Sequence, residues 1–402
     1  MVITGHWLIA ALYYHDGSLT PTSILVVQPS THWLTWLFQV MPIFFVVGGY
    51  ANAVSLENAR RREIAYAGWL AARLNRLVTP LLVLVLGWAL FAAILHLSGV
   101  SGAVIQLASR AALIPIWFLA IYIMVVVLAP ATYIAWRRWG FASFWALAAI
   151  AALVDVAFFV ADLRWLGWSN FFWVWLSVHH LGYAWRDGRM GSPTRLLTYS
   201  ALGFLALMLL VFEGPYPFAM AGSPDQGLSN TSPPKITLLA LAITQFGLLL
   251  AIESPMRRIL SGLRVWTATA LINSMIMTLY LWHLTVMMII VALVYLAGGP
   301  GLGLEPGSSE WWLTRPVWIA ALYAVLLPVT LLLAPMEKRA RAADAAVPAA
   351  VRQVGGAALI CLGVAVLARF GFGDAPLPGL DVAAVVMIVA GAGSSGLLPR
   401  FR

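Results

Sequence analysis

From 265 to 298 the chain carries no Asp, Glu, Lys or Arg. That run exceeds the about 20 apolar residues a helix needs to cross a bilayer, and it constrains the fold more than any other feature. Further apolar segments lie near 1–14, 31–54, 77–99, 111–135, 140–161, 168–185, 195–213, 235–252, 316–335, 354–371 and 378–398. The composition agrees, at 62% hydrophobic and 10% charged, against roughly 45–50% and 25% for soluble domains. Only helices and closed barrels satisfy the backbone in hydrocarbon, and these runs lack the strict alternation of barrel strands. The pattern predicts an all-α, polytopic transmembrane bundle of about ten core helices plus two C-terminal helices. The basic, Ala-rich stretch 338–353 reads as a linker between a membrane domain over 1–337 and a two-helix extension over 354–402.

Charge tests this division. Taking loops alternately, one side collects Arg60, Arg61, Arg62, Arg73, Arg76, Arg137, Arg138, Arg186, Arg189, Arg195, Arg257, Arg258, Arg264, Lys338, Arg339, Arg341, Arg352, Arg400 and Arg402. The other holds only Arg110, Arg164, Lys235, Arg315 and Arg369. Cytoplasmic loops carry the excess of Lys and Arg, so both termini are expected inside, and membrane lipids are the chain's surroundings. The net charge of +9 is spread in short groups between apolar blocks, which argues against a nucleic-acid partner. The single Cys361 excludes an intrachain disulfide. No Lys or Arg precedes the first apolar run, so no secretory leader is expected.

Ionisable groups inside spanning segments are costly and tend to mark function. Here they are His6, Asp155, His179, His180 and His283. Asp155 at mid-segment most needs a partner, and the sequence names none. His179 and His180 are expected to be solvated near the cytoplasmic border, and adjacent helix positions do not face one another, so no metal site is expected. Arg73 and Arg76, just before the third segment, admit two readings. They are basic residues that topology requires there in any case, or an anion clamp, because arginines three apart share a helix face and grip phosphate. Three functions remain open on the residues alone: an enzyme, a transporter or flippase for an envelope metabolite, and a non-catalytic scaffold. No paired broken helices in matching halves favour the transporter.

Several local motifs occur in order. Met41-Pro42-Ile43-Phe44-Phe45-Val46-Val47-Gly48-Gly49-Tyr50 resembles an "MPlFFfxSGy" signature with Gly48 where Ser is common. Arg73 and Arg76 followed by Pro80 resemble RxxR…P, Trp117-Phe118-Leu119 with Tyr122 resembles WFLxxY, and Tyr280-Leu281-Trp282-His283 reads YLWH. Ser229-Asn230-Thr231-Ser232-Pro233-Pro234 is similar to the SNxSPP loop of an actinobacterial-type branch. Together they resemble the acyltransferase-3 family of integral-membrane O-acyltransferases over about residues 1–337. The resemblance implies a bacterial plasma-membrane enzyme using acyl-CoA as donor substrate, with no metal, and a hydroxyl-bearing sugar, lipid or cell-envelope glycan as acceptor. It makes His6 the base or acyl carrier, His283 a second catalytic candidate, and Arg73 and Arg76 the residues that hold CoA. The family pairs its first-helix His with an Arg eleven positions earlier (R-x10-H). For His6 that position falls before Met1, so the first helix is expected to be incomplete.

Overall fold

The computed structural model describes residues 2–15, 18–222, 227–339, 347–374 and 377–398. Of the linker expected over 338–353, positions 340–346 lie outside the described residues, as do Arg400 and Arg402. The chain opens with α1 (Val2–Ile9), then β1 (Ala10–His15) paired with β2 (Ser18–Ser23). Short helices α2 (Ile24–Val27) and α3 (Leu34–Phe38) lead into α4 (Met41–Arg61). There follow α5 (Tyr66–Leu97), α6 (Gly102–Leu113), α7 (Ile116–Trp139), α8 (Phe141–Val160), α9 (Asn170–Arg186) and α10 (Pro193–Phe212). Next come α11 (Ile236–Ala251), α12 (Glu253–Leu260), α13 (Leu263–Ser274), α14 (Ile276–Leu296), α15 (Ser309–Arg339), α16 (Ala350–Phe370) and α17 (Leu380–Ser394). The all-α polytopic architecture is thus present.

Among the described residues, eight helices are long and apolar enough to span a membrane, or nine if the bent pair α11–α12 counts as one. Twelve spans were expected, and the difference has local causes. The first segment is helical only to Ile9. Beyond it Tyr13 and Tyr14 favour strand, and β1 pairs with β2 instead of continuing the helix. Segments 168–185 and 378–398 form α9, of 17 residues, and α17, of 15. The long ninth segment divides at Met275, after Asn273-Ser274, both weak helix formers. Conversely, α5 begins at Tyr66, well before the expected segment. Arg73 and Arg76 therefore sit inside a helix rather than ahead of one.

The chain forms two compact units. The first comprises 1–12, 21–58 and 128–270, and the second 13–20, 59–127 and 271–402. Between lipid-embedded helices the hydrophobic effect is weak, so close backbone approach and interhelical hydrogen bonds carry association. In the first unit α4 crosses α9 where a Cβ on Gly49 would lie 2.0 Å from the His179 carbonyl oxygen, and one on Gly182 would lie 2.1 Å from that of Val46. Helix α10 meets α11 through Gly203 and Gly247, and Ser200 Oγ donates to the Thr244 carbonyl at 2.8 Å. Only Gly140, at φ 54° and ψ −133°, separates α7 from α8, a conformation essentially restricted to glycine. In the second unit α16 and α17 run antiparallel, with Gly356 against Gly391 and Gly363 against Ala384. Both pack on α5.

Candidate functional site

Helix α14 carries Tyr280-Leu281-Trp282-His283 in a stretch free of Gly and Pro. His283 is fully buried, and its Nδ1 lies 2.5 Å from the Tyr280 carbonyl oxygen. A ring nitrogen facing a carbonyl carries the proton, so Nδ1 donates, and in the neutral ring Nε2 is then the basic nitrogen. The surroundings hold the ring's helix in place. The Tyr280 hydroxyl donates to the Pro115 carbonyl at 3.1 Å, and Phe118 meets the Tyr280 ring edge-on at 5.7 Å. Trp88 Nε1 donates to Thr285 Oγ1 at 2.9 Å, and Trp282 packs over Gly87.

The arginines lie at another depth of the same unit. The Arg73 guanidinium is half-buried, 5.9 Å from the Trp69 ring, and Tyr122 of the WFLxxY element lies within its electrostatic reach. Arg76 is exposed. Trp88 marks the level of α14, and from residue 73 to residue 88 an α-helix rises roughly 22 Å. The second unit thus holds a guanidinium pair near one end of α5 and a buried imidazole about half a membrane thickness away. His6 belongs to the first unit. It is half-buried on α1, beside the fully buried Trp7.

In the first unit the signature around α4 is structural as well as sequential. Phe45 stacks on Trp175 at 4.4 Å, and Gly49 permits the α4–α9 crossing. One turn further, Asn52 Nδ2 and His179 Nε2 are 3.1 Å apart, both residues fully buried. His180 is buried too, its Nδ1 bonded to the Leu176 carbonyl at 2.7 Å. The expected solvation of these two histidines is therefore wrong. Helix α9 presses its face against α4 rather than ending in water. Beyond them Glu57 accepts from Tyr133 at 2.5 Å and from Arg186 at 2.6 Å.

Asp155, without an evident partner in the sequence, has several. Its carboxylate accepts from Asn170 Nδ2 at 2.9 Å, the Ile236 amide at 2.8 Å and the Tyr216 hydroxyl at 3.2 Å. The Lys235 ammonium is 3.9 Å away and 3.3 Å from the centre of the Phe158 ring. Burial pulls Lys235 down to about 8, with Asp155 opposing, and burial pushes the Tyr216 phenol up. The same loop is held by Asn230, which donates to the Pro217 and Ala219 carbonyls and accepts from Thr237. Trp36 and Gln39 then bond to the carbonyls of Phe218 and Met220 at 2.7 and 3.0 Å. Sequence reasoning missed this buried ion pair, although it marked Asp155 as the residue most in need of a partner.

No curated relative and no solved structure matches the chain. A family model described as an acyltransferase domain matches residues 1–335 of the 402. With spanning helices through that region and the family's elements on α4, α5, α7 and α14, the chain belongs to the acyltransferase-3 family of membrane acyltransferases.

Proposed function

We propose that this protein moves an acyl group from a cytoplasmic acyl-CoA to a hydroxyl of a sugar, a lipid or a cell-envelope glycan. The observation that carries the reading is the arrangement on α5 and α14: a guanidinium pair roughly 22 Å along the helix from a buried imidazole whose Nδ1 faces the Tyr280 carbonyl. That spacing suits an elongated donor with an anionic head and a reactive group at its far end. Arg73 and Arg76 hold the CoA phosphates, since guanidinium groups bind phosphate bidentately. The excess of Lys and Arg on their side of the membrane supports a cytoplasmic position.

His6 is the base or the acyl carrier. As base, it takes the acceptor's hydroxyl proton while the oxygen attacks the thioester carbon. The C–S bond breaks, and the proton passes to the departing CoA thiolate. As carrier, its ring nitrogen attacks the thioester carbon and the C–S bond breaks to release CoA thiolate; the acceptor oxygen then attacks the acyl carbon, the acyl–nitrogen bond breaks, and the hydroxyl proton passes to the freed imidazole. His283 serves as the second imidazole on the donor's path.

Membranes containing the chain, incubated with radiolabelled acyl-CoA, test this directly. Label is expected on glycan or lipid, His6→Ala should abolish it with insertion intact, and Arg73→Gln with Arg76→Gln should raise the KM for acyl-CoA. Full labelling by His6→Ala would remove that residue from the mechanism. Movement of unmodified substrate without label would favour transport instead.

A further inference from the structure

Helix α11 spans 16 residues, about 24 Å at 1.5 Å per residue, slightly less than the about 30 Å hydrocarbon core. At its end the chain turns by 58° into α12, so α12 leaves the spanning direction where α11 reaches the membrane edge. The residues of α12 sort cleanly around its axis. Met256, Ile259 and Leu260 share one face with Ile252, while Ser254, Arg257 and Arg258 occupy the other. No residue of α12 or α13 is buried. Ile259 is 58% exposed, Leu263 80% and Trp266 61%.

A strongly amphipathic helix with an apolar face left open and arginines on its other face matches the pattern of a helix lying in a bilayer interface. Charge identifies the surface it meets. Arg257, Arg258 and Arg264 stand against the single Glu253, which is 2.6 Å from Arg257. Trp266, at the start of α13, adds the residue type favoured at headgroup depth. We propose that α12 and the first turn of α13 form an in-plane amphipathic segment, seating Met256, Ile259, Leu260 and Leu263 in one leaflet and binding anionic phospholipid headgroups through Arg257, Arg258 and Arg264. This is independent of the acyl-transfer reading, because it concerns where the segment lies and which lipid it gathers.

The test uses the full chain with Cys361→Ser. That change keeps a donor for the Ala120 carbonyl, which Cys361 Sγ meets at 3.3 Å. Single cysteines at Met256, Ile259, Leu260 or Ser254 are spin-labelled in nanodiscs of mixed phosphatidylcholine and phosphatidylglycerol. Labels at 256, 259 and 260 should collide with dissolved oxygen, and the label at 254 with a water-soluble nickel chelate. Equal nickel access at all four positions would overturn the in-plane placement. In a second arm, the preference for spin-labelled phosphatidylglycerol over phosphatidylcholine is measured. Each arginine near an anionic surface shifts partitioning roughly five-fold, so the Arg257→Gln, Arg258→Gln, Arg264→Gln triple variant should lose most of that preference. The triple Lys variant, which keeps the charge, should retain it. An unchanged preference in the Gln variant would overturn headgroup binding.

Discussion

Removing Asp155 should damage the protein far more than removing Lys235, although the two form one ion pair. Asp155→Leu deletes a carboxylate that accepts three hydrogen bonds at 2.8, 2.9 and 3.2 Å. It also leaves the Lys235 ammonium, 1% exposed, against the rings of Phe158 and Phe159 with no carboxylate beside it among the described residues. Breaking a buried pair this way costs about 3–5 kcal/mol. Lys235→Met leaves Asp155 with all three donors. It loses an attraction of about 4 kcal/mol at an effective dielectric near 20, and it also removes an ammonium desolvation cost of several kcal/mol. The net loss should be no more than about 2 kcal/mol. The double variant Asp155→Leu with Lys235→Met should be more stable than Asp155→Leu alone, because the orphaned ammonium is gone. Thermal midpoints at one heating rate, by intrinsic fluorescence in detergent, give the ranking even if unfolding is irreversible. If Lys235→Met falls as far as Asp155→Leu, or the double variant falls further still, the carboxylate is not the centre of this cluster and the reasoning fails.

Lys235 also sets a pH dependence. Burial lowers its pKa from the ordinary 10.5 to about 8, so between those values the unfolded chain binds more protons and stability should rise with pH; a pH series of melting midpoints should show this rise and Lys235→Met should lack it. Gly49→Ala should force α4 away from α9, costing about 1–3 kcal/mol, whereas Gly5→Ala, with nothing within 4 Å of the new methyl group, should be silent in the same melting assay. Trp88→Phe removes the bond to Thr285 and should cost about 1 kcal/mol, a small fall in midpoint; a large one would mean that Trp88 carries more of the α5–α14 contact than that bond.

Hydropathy made the bundle legible because lipid imposes one backbone solution on every spanning run. It failed where a shorter-range signal competed. Tyr13 and Tyr14 favour a strand within an apolar stretch, and Asn273-Ser274 breaks a run with no charge to announce the break. The start of α5 at Tyr66 was hidden for the opposite reason: Arg73 and Arg76 look like loop charges, yet they ride on a helix whose Ala and Leu residues favour it. At the site, residue identities were readable but their states were not. The orientation of the His283 ring follows from a carbonyl three residues back on its own helix, a matter of side-chain rotamer that no motif encodes.

The Asp155–Lys235 pair was legible in principle. A carboxylate in the middle of an apolar segment is an anomaly of cost, and a lysine among only five cations on the sparsely basic side is an anomaly of topology. The first was noted and the second only counted, and each explains the other. A chain that sends a lysine against the prevailing charge bias has a use for it there, and neutralising a buried acid is such a use. Two other cations of that side have partners of a different kind: Arg164 is 2.7 Å from the exposed Asp162, and Arg315 lies 4.1 Å from the centre of the Trp311 ring. Matching unexplained acids within spans to unexplained cations in the loops that charge counting disfavours is therefore a search with a physical basis, and in this chain it would have named Lys235 as the partner of Asp155.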